Sequence, residues 1–169
     1  MKKICPFVLL VWPYLFFPAA YLDSLTSEGG LAWLITYCVL TPIVYIISII
    51  CALRIKDAKT LALWNMVLKL CHIPAYLFIF FYGIVVAFFS WAFLFFTPVI
   101  LAILVVIDCL LLATTSSFGI CALVRAKAKE TVSWAFLAVN AVLHFIFVLD
   151  VISSILVFCK IRKKVPASQ

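Results

Sequence analysis

The sequence predicts an all-α, polytopic integral membrane bundle. The simplest arrangement is five transmembrane helices, an N-terminal helix followed by two hairpins. Three observations predict it. Hydrophobic residues make up 69% of the 169-residue chain and charged residues 11%, against roughly 45–50% and about 25% in soluble proteins. The apolar residues run in stretches long enough to span a hydrocarbon core of about 30 Å. The bases, which leave a net charge of +7, fall in short clusters between those stretches, the pattern of positive-inside topology. Such a composition excludes a water-soluble enzyme, a disordered linker and a nucleic-acid-binding module. The bases are not interleaved with aromatic residues as a base-stacking groove would require.

The first apolar stretch, 4–22, follows Lys2 and Lys3 and carries Pro6, Pro13 and Pro18. It reads as a retained, bent helix, since each proline removes a helical donor. Its basic head and the small residues Ala19 and Ala20 also fit a secretory signal, and removing it would leave four spans. An acidic, Gly-ended turn leads to a second span, 31–53, with Pro42 inside it, and then to a basic loop, 54–59. A third span covers 61–84.

Residues 84–97 are uncharged and crowded with aromatics, among them Phe88, Trp91, Phe93 and Phe96. They suggest an interfacial girdle or a docking surface for a protein partner. Thr97-Pro98 is a good helix start for a fourth span, 98–124. The basic loop 125–130, a long fifth span 131–159 and a basic tail 160–169 complete the chain.

A shift of 70 residues superposes Cys51-Ala52-Leu53 on Cys121-Ala122-Leu123, Ala58-Lys59 on Ala128-Lys129, and Trp64 on Trp134. This weak repeat supports two hairpins, 31–84 and 98–159, whose tips face the same side. With the N-terminus cytoplasmic in the cell membrane, five spans put eight bases inside and the four of the tail outside. The tail is therefore the misfit. A sixth span, cut from 61–124, would bring it inside but leaves too little chain for turns.

Ionisable side chains in hydrocarbon cost about 2.5–3.5 kcal/mol each on insertion scales and call for a reason. Lys69, His72, Asp108, His144 and Asp150 lie within the apolar stretches. Measured along straight helices from the basic ends, they sit at depths of ~13, ~18, ~24, ~20 and ~28 Å respectively. Asn65, Lys69 and His72 share one helix face, as do Asn140 and His144. Pro74 frees the carbonyl of Leu70 beside them, and a broken helix next to buried polar groups is how many transporters assemble a midplane site.

Asn65, Lys69, His72, Asp108, Asn140 and His144 are thus the expected ligand-binding set, for a small, partly apolar solute that is bound or translocated. The same set equally suits the membrane subunit of a transport complex. In the competing structural reading Lys69 pairs with Asp108 and the histidines merely bridge helices.

Enzyme signatures are missing: no H-E-x-x-H, no G-x-S-x-G and no Gly-rich phosphate loop. An intramembrane enzyme acting on lipid or isoprenoid needs no such motif and stays open as an alternative, as does a non-catalytic interaction, immunity or assembly protein. The seven cysteines form no C-x-x-C pair and read as small hydrophobes. No cofactor is implied, and no metal, since His72, His144 and Asp108 lack a diagnostic ligand spacing.

Overall fold

A computed structural model of the chain describes residues 4–25, 32–89, 97–144 and 146–164, and all their regular structure is helical. The elements are α1 (Ile4–Val11), a 3₁₀ turn (Trp12–Leu15), α2 (Phe16–Leu25), α3 (Ala32–Arg54), α4 (Ala58–Phe89), α5 (Thr97–Ala128), α6 (Trp134–Leu143) and α7 (Phe147–Lys164). Three helical stretches are long and apolar enough to cross a membrane: Ile35–Arg54, Ala58–Val85 and Leu101–Ala128, with mean hydropathy 2.2, 1.7 and 2.2.

The antiparallel pair α4 and α5 forms the centre. The α3 helix packs chiefly on α5 and on the N-terminal segment, far less on α4. The expected hairpin 31–84 is therefore open, with α1 wedged between its arms. The buried positions repeat at helical spacing: Leu61, Leu68 and Ala75 on α4, Phe118, Ala122 and Ala126 on α5, Val157 and Ile161 on α7. They lie in the half of the bundle nearest the basic loops. The opposite half of α4 and α5 presents apolar side chains outwards, with Phe80, Phe81 and Val105 each about 60% exposed. That is how a helix bathed in lipid looks.

The helix boundaries have local causes. Pro13 lies at the start of the 3₁₀ turn, where its missing N–H breaks the α-helical ladder. Pro42 and Pro74 are carried inside continuous helices. Asp57 caps α4: its carboxylate accepts from the Thr60 amide (3.0 Å), the Lys59 amide (3.3 Å) and the Thr60 hydroxyl (2.6 Å). The Thr60 bond above all holds the Asp57 carboxyl below its ordinary range. The α5 helix ends in a Schellman motif, with Thr131 N–H donating to Ala126 (2.9 Å) and Glu130 N–H to Lys127 (2.8 Å). Glu130 occupies the left-handed position, φ 55°. Ser133 then caps α6 by accepting from the Phe136 amide.

The expected fifth span, 131–159, is not one helix. It breaks at His144–Ile146, and α7 doubles back along α6. The Lys160 ammonium lies 3.7 Å from the centre of the Phe136 ring, and Ser153 Oγ is 2.9 Å from Asn140 Oδ1. Along a straight helix those pairs would be ~36 Å and ~20 Å apart. The consequence is topological. The end of α7 joins the start of α4, where Phe158 and Arg162 line one cleft with Lys59, Thr60 and Leu63. Arg125 donates to the Leu53 carbonyl at the same end. Apart from Lys69, the basic residues of the described helices and loops thus share one end of the bundle. The bases at the end of α7, part of the tail that contradicted a five-span layout, join the others because α7 folds back along α6.

Candidate functional site

The break between α6 and α7 creates the site. A helix ending inside the protein leaves carbonyls without partners. Here His144 closes α6, its amide donating to Asn140. Its freed carbonyl accepts the Ser116 hydroxyl of α5 at 2.8 Å. Two chain turns later, Asp150 lies in the first turn of α7, the end that favours negative charge. His144 Nδ1 is 2.9 Å from Asp150 Oδ1. Lys69 of α4 makes an ion pair with that same oxygen and donates to Ser116 Oγ at 3.0 Å. Lys69, Ser116 and His144 are completely buried and Asp150 is 1% exposed. Four side chains from α4, α5, the break and α7 therefore close a ring of hydrogen bonds in which one ammonium faces one carboxylate.

Lys69 thus pairs with Asp150, not with Asp108. On a straight helix Asp150 falls ~28 Å deep, far beyond Lys69; the fold-back returns it to the level of Lys69. Asp108 stands apart on the outer half of α5, half-buried, with Tyr45 and Tyr76 as its electrostatic neighbours.

His72 also leaves the expected set. Its Nε2 is 3.2 Å from the Leu9 carbonyl, and a carbonyl can only accept, so Nε2 carries the proton. Leu9 is four residues before Pro13, so its carbonyl is the one that the proline strips of a helical donor. His72 restores that bond across helices. Nearby, the Tyr14 hydroxyl donates to the Cys71 carbonyl at the Pro74 irregularity, and Trp12 Nε1 donates to Thr41 (3.0 Å) beside Pro42. Three bonds near Pro13, Pro42 and Pro74 thus lock the N-terminal segment to α3 and α4. His72 belongs to that lock, and it does not meet His144 and Asp108. Among the described residues no three metal-ligating side chains gather.

Asn140 joins the hairpin, bonding Ser153 through its Oδ1. Asn65 joins the other face of the ring. Since His144 Nδ1 donates to the Asp150 carboxylate, its Nε2 presents a lone pair, and that atom has no hydrogen-bond partner among the described residues. Neither has either end of the Asn65 amide. Two of these atoms, His144 Nε2 and Asn65 Nδ2, face the same patch of α5 backbone, at Gly119. A β-carbon there would lie 2.9 Å from both Asn65 Nδ2 and His144 Cδ2, and would overlap His144 Nε2. Glycine is required here for close approach, not for a turn.

Unpartnered buried polar groups cost about 1–3 kcal/mol each. Two of them lie side by side against the bare backbone at Gly119. Ser116, Gly119 and Asp150 lie outside the set expected from sequence; the signal that recovers the first two is a Ser and a Gly three residues apart on α5, the spacing of one helix face. Over residues 7–163 the sequence matches a family of unknown function (DUF6652). No curated protein and no solved structure matches it.

Proposed function

The chain belongs to that family, whose function is unknown, and from the geometry we propose that it is an integral membrane protein binding a small, partly apolar solute at mid-depth. In this reading α1 to α2, α3, α4 and α5 make four crossings of the cell membrane, and α6–α7 is a re-entrant hairpin entering from the cytoplasmic face. The gathering of the basic side chains at one end supports that orientation, because cytoplasmic segments retain Lys and Arg. Non-helical backbone is tolerated in hydrocarbon only where protein or a cavity surrounds it, and the side-chain ring around His144 supplies that surrounding.

The observation that carries the reading is the convergence of His144 Nε2 and the Asn65 amide on Gly119. An imidazole lone pair beside a primary amide selects a group that donates one hydrogen bond and exchanges another, such as a hydroxyl, a carboxylic acid or an amide. The apolar walls of α4 and α5 would take the rest of the solute. Lys69 and Asp150 set the His144 tautomer and so keep Nε2 an acceptor.

The test is thermal unfolding of the purified chain in detergent against a panel of medium-chain alcohols, acids and amides. At least one class should raise the midpoint of the wild type and leave Asn65→Ala and His144→Phe unmoved. If no class acts, or if both variants respond as the wild type does, the reading falls.

A second reading, a membrane interaction or assembly factor, is favoured by the outer halves of α4 and α5, where Phe88 is 81% exposed. Of the aromatic stretch 84–97, residues 90–96 lie outside the described ones. A stoichiometric protein copurifying from native membranes, and lost on replacing Phe80, Phe81 and Phe88 by serine, would favour this second reading.

A further inference from the structure

At the basic end, α4 and α7 diverge around a cleft of ≈ 440 Å³ lined by Lys59, Thr60, Leu63, Phe158 and Arg162. Its chemistry is graded. Lys59 and Arg162 stand at the rim, and Leu63 and Phe158 lie one helical turn further in, at i+4 and i−4 from those cations. Neither Lys59 nor Arg162 has an ion-pair partner among the described residues.

The acid beside them is Asp57, and its carboxylate is turned to the first turn of α4 by two amides and the Thr60 hydroxyl. That bond also occupies the Thr60 proton, so the free donors in the cleft are the ammonium and the guanidinium. Lys160, two residues before Arg162 on α7, is held over the Phe136 ring. Two unpaired cations above an apolar wall are complementary to an amphiphile whose phosphate lies at the membrane surface and whose chains run inward. An inorganic anion would have no use for the wall.

We infer that this cleft binds one anionic phospholipid, its phosphate between Lys59 and Arg162 and its first acyl carbons against Leu63 and Phe158. The inference rests on the membrane reading but not on the solute site, which lies deeper and on other faces of α4. Such a lipid would pin the far end of α7 to the start of α4.

Native mass spectrometry of the full chain, purified in detergent and offered phosphatidylglycerol and phosphatidylcholine of the same acyl chains at equal concentration, tests this. One retained phosphatidylglycerol is expected in preference to phosphatidylcholine. The double variant Lys59→Gln/Arg162→Gln should reduce that preference about 30-fold, two cations' worth of headgroup attraction. Lys127→Gln/Lys129→Gln, at the C-terminal end of α5, should leave it unchanged. Phe158→Ala should weaken retention of both lipids.

Glycerol phosphate, the headgroup without chains, separates a lipid site from a free-anion site. Equal binding of glycerol phosphate, unaffected by Phe158→Ala, would overturn the lipid assignment. So would equal retention of the two lipids by the wild type. A gel-filtration profile and helical circular dichroism matching the wild type establish that each variant is folded.

Discussion

The molecule breaks its helices in two places, near Pro13 and at His144–Ile146, and the two breaks differ in cause and in consequence. At the first, a proline removes one donor, the helix tightens into a 3₁₀ turn, and the chain continues onward into α2. At the second, no proline or glycine lies between Leu143 and Phe147, yet the chain reverses. Both leave a carbonyl exposed, and in both a side chain from the central pair supplies the missing donor: His72 of α4 to Leu9, Ser116 of α5 to His144. A break written into the backbone needs one such bond. A break with no backbone cause needs the whole ring of Lys69, Ser116, His144 and Asp150 to hold it, and that ring leaves His144 Nε2 and Asn65 unpartnered beside it.

The comparison fails outright if the reversal is absent. In a cysteine-free background, single cysteines replacing Lys129 and Lys163 should react with a membrane-impermeant maleimide from the same side. Labelling from opposite sides would restore a straight fifth span.

The next largest effect is energetic. Lys69→Ala leaves the Asp150 charge buried without its partner and should cost about 3–5 kcal/mol, whereas the double change Lys69→Met/Asp150→Leu should cost much less. Reversible unfolding in mixed micelles measures both. Equal losses would mean that the ring does not act as a charge pair.

Gly119→Ala should cost about 1–3 kcal/mol by overpacking and abolish any solute-induced stabilisation, since the new methyl would overlap His144 Nε2 and push it away from Asn65. An alanine variant as stable as the wild type would deny the close approach.

The first break is sharpened by a double-mutant cycle. His72→Ala should cost about 0.6–1.7 kcal/mol, the range for membrane interhelical bonds. In a Pro13→Ala background the cost should shrink, because alanine returns a donor to Leu9. Additive losses would remove the link between His72 and Pro13.

The smallest effects belong to the loops at the basic end. Asp57→Ala should cost about 1 kcal/mol, as lost caps do. Because folding lowers the Asp57 pKa, its contribution is present above the ordinary carboxylate range and fades as pH falls through the folded value. The wild type should lose more stability than Asp57→Asn on acidification below about pH 4. Glu130→Gly should gain about 1 kcal/mol by relieving a left-handed backbone.

Much of this was legible in the chain before it folded. Apolar run length and the near-absence of charge foretold helices and a membrane composition, because hydrocarbon tolerates little else. Pro13 foretold the bend in the first helix, because a missing N–H acts locally. Lys69, His144 and Asn65 stood out as buried polar groups, because desolvation makes each of them expensive wherever it goes.

What periodicity could not reach was pairing. Depth measured along a straight helix sent Asp150 beyond Lys69 and offered Asp108 in its place. Nothing between residues 143 and 147 announces a reversal, since its cause is spread over α4, α5 and α7. Open packing of α3 away from α4 was equally invisible, being decided by which faces α1 and α5 compete to cover. Single-residue chemistry determined that the helices exist and that certain side chains must find partners. Tertiary structure alone decided which partners, because a hydrogen bond between helices depends on the path of both chains and on the one glycine that lets them meet.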